Sequence, residues 1–103
     1  MPIMEISIIP LGTQTASVSL FVAEAIDILE EEKNIKYQLT PMGTIIEADS
    51  IEKLLSVASK MHSIPFENEV KRVVTTIKLD ERIDKELTME GKVKSVKNKL
   101  RNG

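Results

Sequence analysis

Two stretches of this chain carry side chains suited to holding a small polar molecule. In Tyr37-Gln-Leu-Thr-Pro-Met-Gly-Thr-Ile-Ile-Glu47, the residues Thr40 and Thr44 flank Pro41-Met42-Gly43, and Glu47 follows. In Arg72-Val-Val-Thr-Thr-Ile-Lys-Leu-Asp80, Thr75 and Thr76 sit in the middle of a β-branched run. A plain core strand would be apolar there, so hydroxyl, thioether and carboxylate groups at strand spacing read as a ligand surface. Ser7, on an earlier apolar strand, is a further hydroxyl for the same floor. Period two leaves open whether Thr75 or Thr76 faces it. The plain alternatives are that Pro41-Met42-Gly43 is only a turn, Glu47 a solvated strand residue, and Ser7 and the threonines tolerated strand residues.

No other chemistry competes with this surface. The chain has no cysteine, which removes thiol chemistry and Cys-based zinc; His62 is the only histidine and leaves little acid-base chemistry, and no Ser-His-Asp or paired-carboxylate arrangement is visible. We therefore expect no catalytic residues, no metal and no cofactor, with His62 a helix-terminal cation or partner-facing residue. Asp80, Glu81 and Asp84 lack the glycine and ligand spacing of a calcium loop and read as a solvated loop. Aromatic residues make up 3% of the chain (Phe21, Tyr37 and Phe66), and strands one and four hold none, which argues against base-stacking recognition of nucleic acid. There is no basic leader and no long apolar run, so neither secretion nor a membrane partner is expected, and the cytoplasm is the default location.

The elements that position these residues follow from periodicity. With 103 residues, 42% apolar and 29% charged, the chain fits one globular domain spanning 1–103. Strand one covers Ile3 to Ile9, with Pro10 ending it. A polar loop then leads to a helix from Val18 to about Glu32, capped by Ser17 or Ser19, with Val18, Val22, Ile26 and Leu29 as its buried stripe. Strands from about Ile35 to Thr40 and from Thr44 to Ala48 form a hairpin around Pro41-Met42-Gly43. Asp49 and Glu52 resemble a capping box for a second helix, with Ile51, Leu54, Leu55, Ala58 and Met61 inward and Pro65 as its stop. Strand four covers Val70 to Leu79 and reads as central in its sheet. Thr88 caps a last helix, with Met89, Val93, Val96 and Leu100 on one stripe and Lys92, Lys94, Lys97, Lys99 and Arg101 facing solvent. Residues 85–103 carry six Lys or Arg against two acids, so the formal charge of −2 hides a basic end on an acidic body.

The order β-α-β-β-α-β-α predicts an α+β, ferredoxin-like βαββαβ fold with a C-terminal helix and a four-stranded antiparallel sheet, both crossover helices on one face. The other face would be left open, with Ile3, Ile9 and one side of strand four as apolar patches that association of subunits would cover.

At Ser7-Ile-Ile-Pro-Leu-Gly-Thr13, Leu39-Thr-Pro-Met-Gly-Thr-Ile-Ile-Glu47, Lys71-Arg-Val-Val-Thr-Thr-Ile-Lys78 and Thr88-Met-Glu-Gly-Lys-Val93, the chain resembles the small thiamine-binding, YkoF-like family, end to end. That resemblance implies a ferredoxin-like subunit in a homotetramer (a dimer of dimers) that binds thiamine or its hydroxymethylpyrimidine moiety in the cytoplasm without catalysis. A ligand of that kind offers an aminopyrimidine edge and a cationic thiazolium. Thr40 and Thr44 would supply hydroxyls, Met42 a polarizable wall, Gly43 close backbone approach, and Glu47 an acceptor or counter-charge. The rival expectation is a structural or regulatory homo-oligomer whose open face is only a subunit interface.

Overall fold

A computed structural model describes residues 1–12 and 19–101. Its elements are β1 (Ile3–Leu11), α1 (Ser19–Glu31), β2 (Lys36–Thr40), β3 (Gly43–Glu47), α2 (Ile51–Glu67), β4 (Arg72–Asp80) and α3 (Met89–Arg101). The strands form one antiparallel sheet in the order β2-β3-β1-β4, the ferredoxin-like arrangement the element order predicts. Strand β4 is therefore an edge rather than central, because the second crossover carries the chain back beside β1. The central strands are β1 and β3, and neither has an aromatic residue on which a base could stack.

Alternation along the strands divides the sheet cleanly. Met4 and Ile6 of β1 and Ile46 of β3 point to the helices and meet Ala25 and Leu29 of α1 and Leu54, Val57, Ala58, Met61 and Ile64 of α2 in one buried cluster. On α1 the stripe differs from the predicted one: Ala25 and Leu29 are buried, while Val22 is exposed and Phe21, Ile26 and Ile28 pack at the margin. Tyr37 of β2 donates its hydroxyl to Glu30 of α1, which pushes the phenol pKa above its usual range.

Several local boundaries also move. Pro10 continues β1 instead of ending it, opposite Val73 of β4; pairing with β3 stops at Ile6, so Pro10 lies on a one-sided stretch where a missing N–H is tolerated. Ser50, not Asp49, caps α2, its Oγ accepting from the Lys53 N–H at 3.1 Å. Pro65 lies buried inside α2, which runs to Glu67 and closes when the Asn68 and Val70 N–H groups donate to the Pro65 carbonyl. Ser19 is already helical, and Ser17 and Val18 lie outside the described residues. Leu55 is exposed.

Helix α3 departs most from expectation. Thr88 caps it as predicted, Oγ1 accepting from the Gly91 N–H at 2.9 Å. Yet Val93, Val96 and Leu100 are 52%, 57% and 73% exposed, so the apolar stripe covers no core. The radius of gyration is 15.4 Å, against about 13 Å for a compact chain of this length, as a helix standing out from the body requires.

Candidate functional site

The predicted residues do not share one place. Ser7, Thr40, Met42, Gly43 and Thr44 line one cleft of about 260 Å³ at the hairpin end of the sheet. It exists because β1 and β3 part company there: their pairing runs from Ile3–Glu47 only to Ile6–Thr44, and β1 continues beside β4 alone. Residues of β1 from both faces can then border the gap. Its apolar walls are Ile6 and Ile8 of β1, Leu39 of β2, Phe21, Val22 and Ala25 of α1, and Met61, Ile64 and Pro65 of α2. The helix contributions were not anticipated from sequence; their apolar spacing signalled burial but could not say that part of it faces a cavity.

The hairpin is built tightly. The Thr40 hydroxyl accepts from the N–H groups of Met42 and Gly43 at 3.2 and 3.1 Å and donates to the Gly43 carbonyl at 2.9 Å, so it organises the turn. A Cβ on Gly43 would stand 2.8 Å from the Ile6 carbonyl oxygen, which makes glycine a steric requirement of the β1–β3 contact. Thr44 is buried on the helix side, whereas Met42 at the tip is 82% exposed. Among the described residues no charged one lines the cleft. It is chemically a half-apolar slot with hydroxyl and backbone groups at its rim, suited to an uncharged heteroaromatic ring.

Glu47 is elsewhere. It lies four residues along β3 from Gly43, roughly 13 Å at strand rise. It belongs to a cross-strand row on the open face: Lys36 (β2), Glu47 (β3), Ile3 (β1) and Asp80 (β4). The first turn of α3 bridges this row, Glu90 pairing with Lys36 at 3.8 Å and Lys92 with Asp80. Beneath it Ile3, Glu47 and Leu87 are buried. Glu47 is only 2% exposed, and its Oε1 has no hydrogen-bond partner among the described residues. A carboxylate so placed costs stability unless something completes it.

Thr75 and Thr76 diverge as period two demands. Thr76 stands opposite Ser7 in register on the open face, so these two form the hydroxyl pair there. Thr75 turns to the helices, where its Oγ1 meets His62 Nδ1 at 2.6 Å; His62 also stacks edge-on against Phe66, so its ring joins α2 to β4. Lys78 stands opposite Glu5. In the β4–α3 loop, Arg82 grips Asp84 through two bonds of 2.9 and 2.7 Å, which holds the Asp84 carboxyl below its usual range. Among the described residues no group of three or more potential ligands is placed to hold a metal, and no helix is long and apolar enough to cross a membrane.

Known proteins share this architecture. Residues 4–97 match the family described as thiamine-binding protein. Relatives include the UPF0045 protein YqgV of Bacillus subtilis, 46% identical over 103 residues that cover 97% of this chain and 98% of YqgV. A UPF0045 protein of Methanothermobacter thermautotrophicus is 36% identical over 93% of this chain and 96% of its own. The crystal structure of the hypothetical protein MJ1052 from Methanocaldococcus jannaschii superposes with a TM-score of 0.81 at 41% identity, covering 92% of this chain and 94% of that one. A Thermotoga maritima protein whose name ties it to thiamine biosynthesis or salvage has the same fold, with a TM-score of 0.72 at 19% identity over 92% of this chain and 97% of its own. The matching fold, the matched span of 94 residues out of 103 and the full-length relatives together place this chain in the thiamine-binding protein family.

Proposed function

We propose that this protein binds thiamine or its hydroxymethylpyrimidine moiety without turning it over, with the pyrimidine in the hairpin cleft. The observation that carries the reading is the uncharged slot bordered by Ser7, Thr40, Gly43 and Thr44 and walled by Phe21, Leu39 and Met61. At about 260 Å³ it is slightly below the usual range for drug-sized ligands and fits a single substituted ring. The family's description and the thiamine-related name of the Thermotoga protein support the same ligand class. Ser7 and Thr44 are the hydroxyls best placed for the ring edge, since that of Thr40 serves the turn. A cationic thiazolium finds no counter-charge among the described residues of the cleft, so Glu47 and Thr76 belong to the site only if the ligand or a second subunit spans the open face.

Assembly is part of the proposal. Ile9 and Val74 face each other in register on the open face at 50% and 43% exposure, while Ile77 and Leu79, opposite the helix-facing Ile6 and Met4, are 39% and 42% exposed on the helix side of edge strand β4. Burying such a surface is the plainest reason for a homotetramer, a dimer of dimers, in the cytoplasm. The same patch favours the rival reading, an assembly module with no thiamine-type ligand. Calorimetric titration with thiamine, hydroxymethylpyrimidine and thiamine phosphate separates the two. Saturable micromolar binding (about −8 kcal/mol) that is lost in Gly43→Val is expected, and absence of heat with all three would leave only the assembly module.

A further inference from the structure

The basic end of the chain is not simply a solvated face. The side of α3 that carries Met89, Glu90, Val93, Lys94, Lys97 and Asn98 turns toward β2 and encloses, with Ile35, Lys36, Tyr37 and Gln38, an open-sided groove of about 930 Å³. Glu90, Lys94, Lys97 and Asn98 follow one another at spacings of four, three and one, a single helical stripe. Three ammonium groups thus border one concavity against one carboxylate, in a chain whose formal net charge is −2. That carboxylate, Glu90, makes only a 3.8 Å contact with Lys36, and both are largely exposed, so it is a weak competitor for an incoming anion. Gln38 and Asn98 add neutral N–H donors, and Ile35, Met89 and Val93 add apolar wall.

We propose that this groove is a second binding site, distinct from the hairpin cleft, for a small phosphorylated molecule, with Lys36, Lys94 and Lys97 on its phosphoryl oxygens. Lysines act here as movable point charges, which suits the several oxygens of a phosphate or diphosphate. Among the described residues the groove has a single aromatic, Tyr37, whose hydroxyl is tied to Glu30 on the helix side, and the adjacent α1 surface is acidic. Those features disfavour a nucleic acid strand.

The test uses inorganic diphosphate, which contains no pyrimidine and so reports on the groove whatever happens at the cleft. Titration of the full chain at low salt is read by calorimetry and by backbone amide shifts of residues 36–38 and 93–98. Saturable binding is expected, weakened about tenfold or more in Lys94→Gln/Lys97→Gln, the loss of charge-assisted contacts. It should be nearly unchanged in Lys99→Gln, whose lysine does not line the groove, and tightened in Glu90→Gln. Circular dichroism confirms folding of each variant. No saturable binding to folded protein overturns the proposal. So does an equal loss in Lys99→Gln, which would mean net charge alone, or displacement by a short RNA at the same strength, which would mean a general polyanion surface.

Discussion

Replacing Glu47 by Met should make this protein more stable, against the usual effect of a core substitution. In the unfolded chain the carboxylate is hydrated. In the folded chain the residue is 2% exposed, Oε1 lacks a partner, and Lys36, its neighbour in register, is paired instead with Glu90. Leaving one hydrogen-bonding site of a buried charged group unsatisfied costs about 1–3 kcal/mol. Methionine has similar length and a flexible thioether, so it fills the space beside Ile3 and Leu87 with little overpacking. The expected gain is about 2 kcal/mol, on the order of 10 °C in Tm for a domain of this size, or roughly 1–2 M in the urea midpoint with an unchanged slope. Glu5→Met, at an exposed position on the same face, is the control and should stay within about 0.5 kcal/mol of the parent. The assay is urea denaturation at two protein concentrations, with calorimetric titration of thiamine on the same variants. Higher stability with weaker thiamine binding would identify Glu47 as a group kept at a cost for its ligand. A loss of stability in Glu47→Met would refute the reasoning, since it would mean the carboxylate is already well partnered.

Three further outcomes follow from the geometry. Gly43→Ala places a Cβ 2.8 Å from the Ile6 carbonyl oxygen, so β3 must shift from β1; a loss of about 1–3 kcal/mol in chemical denaturation is expected, and parent-like stability would show the strands are not so closely held. Ser50→Ala removes the acceptor for the Lys53 N–H and should cost about 1 kcal/mol, whereas Asp49→Ala should cost clearly less. Lys60 donates to Glu32 at 2.6 Å and holds that carboxyl below its usual range. A depressed folded-state pKa contributes stability above the unfolded-state value and loses it as the pH falls through the folded one. Lys60→Met should therefore flatten a small acid-range slope worth about 0.5 kcal/mol and leave lower pH unaffected, as read from denaturation midpoints between neutral and acid pH.

What the sequence determined alone was local and periodic. Alternating β-branched runs, helical stripes and the Pro41-Met42-Gly43 turn specify seven elements in order, and that order admits few sheets, of which the observed one is the commonest solution. The hairpin, the Thr88 cap and the clustering of Ser7, Thr40, Met42, Gly43 and Thr44 were legible for the same reason: each depends on residues near one another in the chain or on one expected strand pair. Only the tertiary structure decided which groups share a space. Strand four reads as central because its residues are β-branched, but its edge place is set by the handedness of the crossover. Glu47 reads as part of the hairpin site, yet it sits at the other end of β3 under α3, because burial there is imposed by a helix more than forty residues later in the chain. Helix α3 has the stripe of a core helix but leaves it uncovered, since periodicity fixes which side chains share a face and not whether another surface is there to meet them.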